Sequence, residues 1–225
     1  MQDTVQNRCR TIYICPMKKS LLILVVALFS LSVYAQSFEG EIIYHNTYVS
    51  KMSTVSNEQF GTMMGGVQNY FVKGGEYKSE SNGTLVQWQL YINKDNKLYS
   101  KLSNSETVFW NDAAVNTDEV TGSELHKAVT TILGYTCDEL VLTCKSGVQK
   151  YYFSSKIPLD SKLYASNLFG NYYIYASKTN AIPLKIIIDN PQFSMESVAT
   201  VVKPMKLDAA FFTLPAGVAT AKSPF

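Results

Sequence analysis

The sequence predicts a mainly β protein: a strongly curved antiparallel sheet, or half-open β barrel, of about ten strands with one or two short helices over its concave face. Three observations predict this. Short runs of aromatic and β-branched residues alternate with polar ones from Phe38 onward, and turn residues separate the runs. Only two stretches of the same region break the two-residue period. A curved sheet with helical segments set into it is the layered arrangement that such a pattern of elements can bury.

An export signal precedes the strands. Met17-Lys18-Lys19-Ser20 supplies a basic start, Leu21 to Leu31 an apolar core too short for a comfortable membrane span, and Val33-Tyr34-Ala35 a small-residue cleavage pattern before Gln36. Residues 1–16 are polar and unpatterned and read as a mis-assigned upstream extension. Residues 17–35 read as a signal peptide, and residues 36–225 as one domain. A lipid-anchored protein would need cysteine where Gln36 stands, so the expectation is a free periplasmic protein with no integral membrane span after cleavage.

The strands are read in order. Phe38 to Val49 places Phe38, Ile42, Tyr44 and Tyr48 on one face. Gln68 to Lys73 and Glu76 to Ser81 flank Gly74-Gly75, and Asn82-Gly83 reads as a two-residue hairpin because both residues tolerate positive φ. Val86, Trp88, Leu90 and Ile92 then alternate with polar neighbours, which requires one face of that strand to be covered. Leu98 to Leu102 and Thr107 to Asn111 follow, the latter with Trp110. Asp112 to Leu125 reads as an acidic loop with a helical turn. Tyr135 to Cys144 and Val148 to Ser154 form a hairpin with Leu140, Leu142, Tyr151 and Phe153 inward. Tyr172 to Ser177, Leu184 to Asp189 and Phe193 to Val202 complete the strands.

The two breaks read as helices. Lys51 to Met64 carries Met52, Val55, Phe60, Met63 and Met64 near helical spacing, with Gly65-Gly66 as a stop. Ser161 to Leu168 carries Leu163, Tyr164 and Leu168 behind Asp160, a residue suited to capping a helix.

Composition narrows the function classes. Cleavage after Ala35 removes Arg8, Arg10, Lys18 and Lys19 with Asp3 from 20 basic and 18 acidic residues, leaving 16 lysines against 17 acids and a net charge of about −1. No arginine remains, so the planar fork that grips phosphates is absent and neither nucleic acid nor nucleotide is expected as a partner. Only Cys137 and Cys144 persist. Seven residues of one strand would hold them ~23 Å apart on opposite faces, beyond the ~7 Å limit for a disulfide, so two free thiols are expected.

No cofactor, metal site or catalytic group is expected. His45 lies in the first strand and His126 in a loop, without paired metal-ligand spacing. Asp118-Glu119 and Asp138-Glu139 are adjacent carboxylates, which a strand would point to opposite faces. There is no nucleophile elbow and no glycine-rich phosphate loop in a strand-to-helix setting. What remains is an aromatic interior of 13 tyrosines after the cut, from 15 in the whole chain, together with Trp88 and Trp110.

Several short elements carry a resemblance. Phe38-Glu39-Gly40-Glu41-Ile42-Ile43-Tyr44, Thr131-Ile132-Leu133-Gly134-Tyr135-Thr136-Cys137 and Leu207-Asp208-Ala209-Ala210-Phe211-Phe212-Thr213-Leu214-Pro215-Ala216-Gly217 are similar to the first strand, the I-x-G-Y-x-C element and the closing F-x-L-P-x-G of an exported family of the GLPGLI type. Ala181-Ile182-Pro183-Leu184-Lys185-Ile186 resembles its G-x-P-L segment, with alanine where glycine is commoner. The resemblance implies a fold like the periplasmic lipoprotein carriers LolA and LolB, a half-open barrel with helices over the mouth. It implies no activity.

The leading expectation is a non-catalytic binding protein that shelters a lipid or acyl chain in the concave face. Its candidate contacts are Met52, Phe60, Met63, Met64, Trp88, Leu90, Ile92 and Trp110, all of which would equally serve as plain core packing. The alternative is an envelope interaction protein with a filled core and a protein partner that meets the sheet edge or residues 112–125.

Overall fold

The computed structural model describes residues 37–224, so the expectations for residues 1–16 and 17–35 fall outside the described residues. Twelve strands form one sheet: β1 (Gly40–Ser50), β2 (Val67–Lys73), β3 (Glu76–Ser81), β4 (Val86–Ile92), β5 (Lys97–Leu102), β6 (Val108–Asp112), β7 (Val120–Ile132), β8 (Tyr135–Cys144), β9 (Gly147–Pro158), β10 (Ala181–Asp189), β11 (Phe193–Pro204) and β12 (Thr220–Lys222). Their spatial order is β12-β6-β5-β4-β3-β2-β1-β11-β10-β9-β8-β7. All described pairings are antiparallel except β12 with β6. The protein is thus mainly β, with a large, curved sheet that does not close.

Chain length forces the curvature. β6 and β7 are consecutive in sequence, joined by residues 113–119, yet ten interstrand steps separate them in the sheet. Laid flat, those steps would span ~48 Å, whereas the link reaches at most ~29 Å when fully extended. The sheet must curl, and the face inside the curl becomes the interior.

Segment 159–180 fills part of that interior. It comprises a 3-10 turn at Ser161–Tyr164, another at Phe169–Asn171, and helix α2 (Tyr172–Thr179). Asp160 caps the first turn, its Oδ1 accepting from Lys162 N at 3.1 Å, as the sequence suggests. The strand expected over Tyr172–Ser177 is instead α2. Four consecutive aromatic or β-branched residues favour a strand locally, but tertiary packing overrides the preference. The helix buries Tyr175 and Ala176, while Tyr172, three residues before Tyr175, joins the same aromatic core.

The segment is tied to both sides of the curl. Tyr77 of β3 stacks on Tyr91 and Tyr172 at centroid distances of 5.2 and 5.0 Å, Tyr151 of β9 stacks on Tyr175 at 4.3 Å, and Tyr70 of β2 shares a 3.0 Å hydrogen bond with Tyr172. The β6–β7 link holds it from a third direction, since Ala113 O accepts from Leu168 N at 2.7 Å and from Phe169 N at 3.2 Å. Leu140, Leu142, Tyr151 and Phe153 are buried in this core, as expected.

The other face of β2–β6 is covered too. After β11 the chain crosses it, and Leu207, Phe211, Phe212, Leu214 and Val218 pack on Leu90, Tyr99, Val108, Phe71 and Ile92. β12 then adds in parallel to β6. Glu39 fastens the start of this crossing. It accepts from Leu207 N at 2.7 Å and pairs with Lys73 at 3.2 Å and Lys206 at 3.3 Å. These contacts, the backbone hydrogen bond first, lower its pKa to about 2 against the opposing effect of burial.

Helix α1 is Asn57–Met64, shorter than the expected Lys51 to Met64. Ser56 and Gln59 form a capping box, Ser56 Oγ accepting from Gln59 N at 3.1 Å and Gln59 Oε1 from Ser56 N at 2.9 Å. This sets the helix start at Asn57 and leaves Met52 outside it. Phe60 is buried between Tyr48 and Phe193, with ring centroids at 5.5 and 5.0 Å, so α1 caps one end of the inner face. Gly65 ends the helix with φ 92°, as the sequence indicates.

Two other expectations need correction. Asn82-Gly83 is not a two-residue hairpin, because neither residue takes positive φ and β4 starts only at Val86. The loop instead folds over the end of α1, Thr84 N and Leu85 N donating to Thr62 O and Met63 O, both at 3.0 Å. Two-residue turns with two positive φ values stand instead at Gly74-Gly75, at 52° and 96°, and at Leu133-Gly134, at 49° and 78°.

Second, the loop expected over Asp112–Leu125 ends at Glu119. His126 therefore lies on strand β7, where its Nδ1 sits 2.7 Å from Glu139 Oε2. Cys137 and Cys144 are both free, as expected, and both buried. Burial raises both thiols, Cys144 to about 11.

Two outcomes follow from these contacts. A Cβ on Gly83 would lie 2.5 Å from Met63 O and from Met64 C, both backbone atoms. The Gly83→Ala variant should lose about 1–3 kcal/mol in urea unfolding, and an unchanged midpoint would contradict this packing. Because the folded pKa of Glu39 is depressed, its contribution is complete above pH 4.5 and is lost as pH falls through about 2. Glu39→Gln should therefore be less stable than the parent at pH 6 and match it near pH 2, read as urea midpoints.

Candidate functional site

The segment 159–180 leaves part of the inner face uncovered. Between it, the end of α1 and the sheet lies a cavity of about 420 Å³. Its floor comes from Tyr44, Asn46 and Tyr48 of β1, Gln68 and Tyr70 of β2, Ser79 and Ser81 of β3, and Val86, Trp88 and Gln89 of β4. On the other side are Tyr151 of β9, Pro183, Ile186 and Ile188 of β10, and Met195 of β11. Phe169, Gly170, Tyr172 and Tyr175 form the roof, and Met64 closes the α1 end. A neighbouring cavity of about 360 Å³ over β4–β6 shares Val86 and Phe169.

Strand alternation explains the floor. The even residues of β1 and β2 and the odd residues of β3 face inward, and the registers set Tyr44 opposite Gln68, Gln68 opposite Ser81, and Ser79 opposite Gln89. The two helical elements position the rest. Gly65 O, just past α1, accepts from Asn46 Nδ2 at 3.3 Å and from Tyr48 OH at 3.2 Å. Tyr44 OH donates to Pro183 O at 2.6 Å and spans the two sides. A Cβ on Gly65 would lie 2.1 Å from Ser81 Oγ and 2.5 Å from Gly83 N, so glycine alone lets α1 end this close to the floor.

The site is electrically neutral. Among the described residues, no Asp, Glu, Lys or His lines the cavity. Burial raises the phenols of Tyr44, Tyr48, Tyr70, Tyr172 and Tyr175, so these groups stay protonated at physiological pH. No group of three or more His, Cys, Asp or Glu side chains among the described residues could hold a metal ion. Asp138 and Glu139 are occupied elsewhere, by Lys127 and by His126.

The candidate contacts read from the sequence are divided between places. Met64 and Trp88 line the cavity. Phe60 is buried under α1 against Tyr48, which itself lines it. Met63 is exposed and faces a separate groove with Thr54, Val55 and Glu58. Met52, half exposed, lines neither.

Leu90, Ile92 and Trp110 lie on the opposite face, beneath the C-terminal crossing; Trp88, beside the β4 bulge, also packs there. Asn46, Gln68, Ser79 and Gln89 went unrecognised. Their signal was present: each is a polar residue at the inward register of its strand.

No protein-family model matches the chain, and no curated protein matches it.

Proposed function

We propose that this chain is an exported, periplasmic binding protein without catalytic chemistry, and that it holds a small, largely apolar ligand between Tyr172, Met64 and the inner face of the sheet. The observation that carries the reading is the cavity itself: about 420 Å³, aromatic and aliphatic over most of its wall, and free of charged side chains among the described residues. Ligand sites typically enclose about 300–1,000 Å³, so this volume suits one small molecule or a single acyl chain. Burying each methylene gains ~0.8 kcal/mol, and ten would give ~8 kcal/mol before ordering costs, in the micromolar range.

Acid–base or nucleophilic catalysis would need a titrating group at the ligand. The lining offers phenols held neutral by burial. The signal elements at residues 17–35 and the resemblance to the GLPGLI-type exported family support the compartment and a carrier-like fold.

Protein purified from the periplasm should release a lipid or other apolar molecule on solvent extraction, and native mass spectrometry should show the matching mass shift. Ile188→Trp, which places a larger ring in the cavity, should lower retention at least tenfold while keeping a cooperative unfolding transition. Ligand-free protein that binds no apolar probe would overturn the reading.

A further inference from the structure

Resting on that reading, we infer that the ligand is a neutral amphiphile: an apolar chain with a head that bears hydroxyl or amide groups and no charge. The cavity has two unlike sides. β10 and β11 present Ile186, Ile188 and Met195, while β1–β4 present Asn46, Gln68, Ser79, Ser81 and Gln89. The polar residues are contiguous, because Gln68 faces Ser81 and Ser79 faces Gln89 directly across the strands.

Much of their hydrogen-bonding capacity is unused. Asn46 is 7% exposed, and since its Nδ2 donates to Gly65 O, its Oδ1 is left buried with no partner among the described residues. Ser79 is 8% exposed, and neither its hydroxyl nor the Gln68 amide makes a hydrogen bond among the described residues. Gln89 uses only Nε2, on Ser100 Oγ at 3.1 Å. Buried polar groups in folded proteins are normally satisfied, so an unpartnered amide oxygen beside a ligand-sized space points to a donor supplied by the ligand.

The head cannot be an ion at comparable cost. A carboxylate here would meet no lysine, and an ammonium no carboxylate, since the lining is uncharged. A buried charge without a partner is strongly disfavoured, whereas hydroxyl and amide groups match Asn, Gln and Ser as both donors and acceptors.

Three probes of equal chain length separate the possibilities: monodecanoylglycerol, decanoate and decyltrimethylammonium, titrated calorimetrically into the periplasmic protein at pH 7.5 below their micellar concentrations. Monodecanoylglycerol should bind at least tenfold more tightly than either ion, a difference of about 1.4 kcal/mol. Gln68→Lys, which adds a cation to the polar side, should turn the preference toward decanoate. If an ion binds the unaltered protein as tightly as the neutral probe, the inference fails while the cavity remains a ligand site. If none of the three binds, the ligand site itself is refuted. Should Gln68→Lys fail to fold, the three titrations on the unaltered protein decide alone.

Discussion

A link of seven residues between β6 and β7 is the constraint on which the rest of this structure depends. It joins strands that a flat sheet would hold ~48 Å apart, and it reaches little more than half that distance. The sheet curls for that reason, and the curl creates an inside that backbone pairing alone cannot fill. Segment 159–180 occupies it, hydrogen-bonded to Ala113 of the same link and stacked through Tyr77, Tyr151, Tyr172 and Tyr175 on both sides of the sheet. The cavity is the portion of the inside that neither this segment nor α1 reaches.

The curl also explains the second apolar layer. Strands β2 to β6 carry large side chains on both faces, so covering only the inner one would leave Phe71, Leu90 and Tyr99 in water. The C-terminal crossing covers them, fastened by Glu39, Lys73 and Lys206 at its start and by β12 at its end. Lys78 and Lys97 lie over Phe211 and Trp110 at 4.3 and 3.9 Å and carry the layer out to solvent. The outer layer and the cavity thereby use different faces of the same strand: Leu90 and Ile92 pack outward where Gln89 and Tyr91 face in.

Where one face is buried and the other wet, the sequence carries the fold legibly. β1 and β8 to β11 show this. β7 was illegible because most of its side chains are exposed on both faces, so no alternation marks it. Tyr172–Ser177 misled for the opposite reason: its aromatic content suits a strand, and only the core it enters makes it a helix.

Asn82-Gly83 has the residues of a tight turn but serves close packing against Met63 and Met64. The site was legible in part, through Met64 and Trp88. Leu90, Ile92 and Trp110 were drawn in by an alternation that was real but belonged to the outer layer. The polar side of the cavity was overlooked because Asn46, Gln68 and Ser79 look like ordinary surface residues until the register places them inside.

The central claim is that segment 159–180 is latched to the inner face and so defines the cavity. Its most direct measurement is a double-mutant cycle on Tyr70→Phe and Tyr172→Phe by urea unfolding, since the two hydroxyls share one hydrogen bond across the space between sheet and segment. A favourable coupling of about 1 kcal/mol is expected. Additive effects, with no coupling, would mean that the segment does not rest on the sheet in this way.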